Sequence, residues 1–122
     1  MAGKSEIFGP VALTTTYTTN IVAPAAAGTG AVGYTATATV IIIRHIHVAN
    51  KTGSAATFRL FKGATGANAA GTELFYDKSV AANDAFDWYG MLRLEGTNGF
   101  LVGGAGTTTA LTFEAEGELA LV

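Results

Sequence analysis

The chain has two histidines, His45 and His47, two residues apart in a run of β-branched residues. On an extended strand this spacing puts both imidazoles on one face, where they could grip a divalent metal. Such an ion wants at least three or four ligands. The next residues are Val48, Ala49, Asn50, Lys51 and Thr52, with no carboxylate among them and no third histidine anywhere in the chain. Spacing along the chain therefore predicts no metal site and no cofactor. The pair reads as two partly exposed strand histidines, suited to a subunit contact.

Glu114, Glu116 and Glu118 form an acidic stripe. Same-face residues on one strand lie about 6.6–6.8 Å apart, too far for neighbouring carboxylates to share one ion closely. A glycosidase pair would need a shaped cleft and a second segment opposite. Asp84 and Asp87 are the other acids that could face a ligand. The stripe reads as a solvated face or, failing that, as a meeting place for basic groups of a neighbouring subunit. The Gly-rich stretches at 63–71 and 103–107 lack the Lys-Ser/Thr of a phosphate loop, and no helical pattern follows them. No nucleophile triad can be assembled from two histidines on one strand without a Gly-x-Ser-x-Gly turn. With no Cys, the chain has no disulfide, zinc–thiolate site or thiol nucleophile. These residues predict no enzyme. Trp88 and Tyr89 are adjacent and so point to opposite sides of a strand. One should enter the core, and the other could anchor an interface or stack on a sugar.

The elements that must carry these residues are strands. At 111–121, Leu111, Phe113, Ala115, Gly117, Leu119 and Leu121 alternate with Thr112, Glu114, Glu116, Glu118 and Ala120, one dry face against one wet. At about 36–49, Val40, Ile42, Ile46 and Val48 share one parity, and Ile41, Ile43, His45 and His47 the other. Arg44 falls on the first of these, and a bulge there would turn it outward. Apolar residues on both parities predict a central strand. Phe58 and Leu60 alternate with Arg59 and Phe61. Leu74, Tyr76 and Val80 alternate with Phe75 and Asp77. Phe86, Trp88, Leu92 and Leu94 alternate with Asp87, Tyr89, Met91 and Arg93. Shorter runs fall at Val11 and Leu13, at Tyr17, Thr19 and Ile21, and at 99–103. Turn clusters at 50–54, 63–68, 82–84 and 95–99 separate them. This spacing predicts a single-domain, all-β, antiparallel β-sandwich (jelly-roll or Ig-like) of seven to nine strands. Residues 1–10 read as an N-terminal arm and 23–35 as a long loop.

Composition narrows the classes further. The 122 residues suit one domain. A hydrophobic fraction of 49% is too high for disorder. A net charge of -2 and a pI near 5.5 argue against nucleic acid as a partner. The longest apolar run, residues 40–43, is far short of a membrane span, and 1–10 lacks a signal-peptide core. The chain is thus expected to fold in the cytoplasm where it is made, with no membrane partner. Ala (23), Thr (18) and Gly (16) make up nearly half the chain, and charged residues only 13%. Average proteins carry about 25% charged residues. Either Thr and Gly solvate the surface or neighbouring subunits cover it.

Four segments together resemble a family of small bacteriophage virion proteins. They are Leu-Thr-Thr-Thr-Tyr-Thr-Thr-Asn-Ile at 13–21 with the Ala-Pro turn after it, Ile-His-Val-Ala-Asn-Lys-Thr-Gly-Ser-Ala-Ala-Thr-Phe-Arg-Leu at 46–60, Asp-Trp-Tyr-Gly-Met-Leu-Arg-Leu-Glu-Gly at 87–96, and the alternating strand at 111–122. The resemblance spans nearly the whole chain and rests on strand and turn patterns rather than a chemical signature. The loop at 23–35 is longer than usual. The resemblance implies a structural component of a virion, assembled in the host cytoplasm, most simply a capsid decoration or cement protein on the outside of the head. Its partners would be the major capsid protein or other virion proteins, and its own copies as a homo-oligomer, often a trimer. Neck, tail or fibre-base positions are the alternatives within the virion, and a carbohydrate-binding module the alternative outside it. The residues suited to such contacts are Arg44, His45, His47, Trp88, Tyr89, Glu114, Glu116 and Glu118.

Overall fold

Val, Ile, Thr, Phe and Tyr suit a pleated surface, and every regular element among the described residues is a strand. The computed structural model describes residues 3–23 and 40–120. It contains β1 (Gly3–Ala12), β2 (Asn20–Val22), β3 (Val40–Asn50), β4 (Ala56–Gly63), β5 (Glu73–Val80), β6 (Ala85–Glu95), β7 (Phe100–Ala105) and β8 (Leu111–Ala120). The expected arm at 1–10 falls largely within β1, which pairs with β8 from Gly3↔Ala120 to Ala12↔Thr112. Apart from Ala23, the expected long loop lies outside the described residues.

Two four-stranded sheets form, in the orders β1-β8-β3-β6 and β2-β7-β4-β5, and every pairing is antiparallel. β1 pairs with β8, β2 with β7, β3 with β6 and β4 with β5. The chain is thus a long hairpin wound over itself, which is the jelly-roll arrangement of an eight-stranded sandwich. Inner faces of both sheets supply the core, with Phe8, Ile21, Ile41, Ile43, Ile46, Phe58, Leu60, Leu94, Leu101, Leu111 and Phe113 buried.

The alternation expected for β8 holds, with Leu111, Phe113 and Ala115 buried against half-buried or exposed Thr112, Glu114, Glu116 and Glu118. β3 and β5 depart from simple parity. In β3 the register shifts between Ile43 and His45 against both neighbours. Arg44 turns outward, as a bulge there would require. The parity also inverts, so Ile41, Ile43, Ile46 and Val48 are buried while Val40 and Ile42 are not. In β5, Asp77 takes a left-handed φ of 52° and the β4–β5 register shifts between Phe58 and Leu60. Phe75 and Val80 therefore turn inward together, and Leu74 and Tyr76 stay exposed. Extra residues of this kind bend a strand and re-aim its side chains.

One buried polar side chain ties the sandwich corner together. Asn50, 3% exposed, donates from Nδ2 to the Ser54, Val80 and Ala81 carbonyls, and its Oδ1 accepts from the Thr52 amide and hydroxyl. Its own amide donates to the Asp84 carbonyl. The turn after β3 is thereby fixed to the turn before β6, which sets the height at which these two strands pair.

Candidate functional site

The β3 bulge decides what the outer face of the β1-β8-β3-β6 sheet displays. Unbroken alternation would put His45 and His47 on the same side as buried Ile41 and Ile43. The extra residue at Arg44 turns both histidines outward. Pairing then builds rows across the sheet. Ile7 lies opposite Glu116, Glu116 opposite His45, and His45 opposite Tyr89, so one row crosses all four strands. In the next row Glu114 faces His47, which faces Asp87. Arg44, His45, His47, Tyr89, Glu114, Glu116 and Glu118 come together on this face from three strands. Trp88 does not join them. It lies half-buried on the inner side of β6 against the core, as the opposite orientation of two adjacent residues demands.

Several polar groups of this face pair with one another. Asp87 Oδ1 accepts hydrogen bonds from His45 Nε2 and His47 Nδ1, each at 2.7 Å. These bonds, His47 first and then His45, hold the Asp87 carboxyl below the ordinary carboxylate value, against the opposing effect of desolvation. The other ring nitrogen of His45, Nδ1, stands 3.8 Å from Glu116 Oε1. Tyr89 stacks flat on the His45 ring, with centroids 4.5 Å apart and planes 5° from parallel, and remains 73% exposed. Arg44 Nε donates to Glu118 Oε2 at 2.6 Å. Two of the three stripe acids thus have basic or imidazole neighbours within the chain.

Three residues of this face escaped the reading by spacing. Asp87 stood among the acids that could face a ligand, but nothing along the chain joined it to the histidines 40 residues earlier. Ile7 and Met91 are exposed apolar side chains, one on the edge strand β1 and the other across from Arg44. Only the strand order could have found them. On the opposite sheet, Arg59 donates to both Asp77 oxygens, at 2.7 and 3.2 Å, and lies between the Tyr17 and Tyr76 rings, 4.3 and 4.0 Å from their centroids. This cluster locks the β5 bulge. At the open side of the sandwich, Ile46, Leu74, Phe75, Trp88 and Leu92 line an apolar pocket of about 120 Å³, well below the roughly 300–1,000 Å³ of small-molecule sites.

The face offers anchors and paired charges in one plane. A histidine–carboxylate cluster lies at its centre. No protein-family model, curated protein or solved structure matches the chain.

Proposed function

We propose that the chain is a non-enzymatic structural protein of a bacteriophage virion, a capsid decoration protein that docks on the outside of the head. The observation that carries this reading is the four-strand row Ile7–Glu116–His45–Tyr89. It sets exposed apolar and aromatic anchors among polar groups already paired with each other. A surface of this kind loses little on desolvation, because few of its charges are stripped of water without a partner. The virion resemblance of the strand and turn segments supports the same role, and so does a charge content of only 13%. Jelly rolls occur in viral capsid and lectin domains alike, so the fold adds compatibility rather than choice. Assembly as a homo-oligomer, with a trimer favoured, and residence in the virion after synthesis in the host cytoplasm belong to this reading.

Co-sedimentation of purified protein with assembled capsid shells tests it. Stoichiometric binding, weakened at least tenfold by Tyr89→Ala, is the expected result. Binding to tails but not shells would move the protein to a neck, tail or fibre-base position. A second reading is favoured by Tyr89 alone, whose largely exposed ring, backed by His45, could stack on a sugar. Glycan binding that is lost in Tyr89→Ala, with no capsid binding, would establish that module instead.

A further inference from the structure

We propose that His45, His47 and Asp87 form a binding site for a first-row divalent transition-metal ion of the zinc class. The proposal stands independently of the virion reading. The ligand atoms are His45 Nε2, His47 Nδ1 and Asp87 Oδ1, all within 4.8 Å of one another. Both imidazoles already point at the same carboxylate oxygen, at 2.7 Å each. A metal at about 2.0–2.2 Å from each donor holds its ligands about 3.0–3.5 Å apart. Each imidazole–carboxylate pair therefore has to open by about half an ångström to receive an ion, while the two imidazole nitrogens already lie within 4.8 Å of each other.

Backbone geometry places all three ligands in advance. The two-residue spacing puts His45 and His47 on one face, the Arg44 bulge turns that face outward, and the His47↔Asp87 pairing brings the carboxylate beside them. The missing third ligand thus comes from the neighbouring strand rather than from the residues after His47. Two imidazoles and one carboxylate suit zinc, cobalt, nickel or copper, whereas calcium and magnesium prefer oxygen alone.

Solvent closes the proton balance, since each imidazole releases the proton of its ligating nitrogen to water and takes one up on its other ring nitrogen. In the metal-free cluster each histidine presents an N–H to Asp87. When the metal takes His45 Nε2, the ring proton resides on Nδ1, which faces Glu116 Oε1 at 3.8 Å. A carboxylate on the far nitrogen of a ligating histidine is the usual support for such a ring, fixing its tautomer and orientation. Tyr89, stacked on His45, restrains the same ring from the side. Glu116 is thus a positioning residue, with no bond to the ion. The remaining coordination positions face solvent.

The test is titration of the untagged, chelator-stripped full chain with ZnCl2 against a chromophoric chelator. One zinc per chain is expected, with no competition from magnesium. Asp87→Asn and His47→Ala should each weaken binding at least tenfold. Glu116→Gln should keep the stoichiometry and weaken binding about tenfold. Nitrogen NMR of the wild-type imidazoles should assign the metal to His45 Nε2 and His47 Nδ1, a measurement that needs no variant to fold. Wild-type affinity no better than that of a His45→Ala/His47→Ala double variant would overturn the proposal. So would an unchanged affinity in folded Asp87→Asn, or coordination through His45 Nδ1.

Discussion

Gly117→Ala should destabilise the protein by about 2–3 kcal/mol, and the number follows from how closely β8 approaches β3. Gly117 pairs with Ile43 just before the Arg44 bulge. A Cβ added there would fall on the Ile42 carbonyl oxygen, 2.8 Å from the Ile42 carbonyl carbon and 2.9 Å from Ile43 Cα. Ordinary contacts begin near 3.4 Å, so clearing the Ile42 oxygen requires the two strands to part by well over half an ångström, which stretches neighbouring ladder bonds past their useful range of about 2.7–3.2 Å. Losing about two such bonds costs about 1 kcal/mol each, and the loosened packing of Ile41 and Ile43 adds about 1–2 kcal/mol. Reduced freedom of the unfolded chain returns about 0.4–1 kcal/mol. For a chain of this size the net change lowers Tm by about 8–12 °C. Gly53→Ala is the control, since nothing lies within 4 Å of its added Cβ. It should melt within about 2 °C of wild type. Thermal and denaturant melts followed by Trp88 fluorescence and circular dichroism read both. If Gly117→Ala melted like Gly53→Ala, the close approach of β8 could not be what holds the bulge, and the outward aim of His45 and His47 would need another cause.

Other outcomes follow from single contacts. Asn50→Ala should cost about 2–4 kcal/mol in denaturant melts, because it strips partners from the buried Val80 carbonyl and the Thr52 amide together; a change under about 0.5 kcal/mol would refute its role at the corner. The Arg59 hydrogen bonds hold the Asp77 carboxyl below its ordinary value. The ion pair therefore stabilises the fold above the unfolded-state value, about 3.9, and that contribution is lost as pH falls through the lower folded value. Asp77 titrated by NMR should move up toward the ordinary value in Arg59→Gln, and an unmoved titration would remove Arg59 as the cause. Tyr89→Ala should leave stability within about 0.5 kcal/mol, as expected of a side chain this exposed. A larger loss in melts would make Tyr89 a structural residue rather than an anchor.

Alternation along one strand was legible wherever the strand stays regular. β8 and β6 follow their sequence parity, and the opposite fates of Trp88 and Tyr89 come directly from their adjacency. Parity fails beyond a bulge, because one extra residue exchanges the faces of everything after it. In β3 this moved the buried set from Val40 and Ile42 to Ile41 and Ile43. In β5 it separated Val80 from Leu74 and Tyr76. At the first of these points Arg44 is the visible signal, since it follows four apolar residues, Val40 to Ile43, on the parity of Ile42 and Ile46. The histidine–carboxylate cluster was half legible. The two imidazoles share a strand, but Asp87 reaches them through strand pairing, which depends on the winding of the whole chain rather than on any local spacing.

The winding also has a consequence for the order in which the molecule comes into being. β8 is the last of the described strands along the sequence, yet it lies inside its sheet, with β1 on one side and β3 on the other. A nascent chain that has not yet released β8 from the ribosome holds β1 and β3 with no strand between them. Long-range pairings of this kind form late, after the intervening segments are in place. The row from Ile7 to Tyr89 therefore cannot exist on an incomplete chain. Docking through it would require β8 in place, so that a chain truncated before β8 is kept out of an assembly by geometry alone.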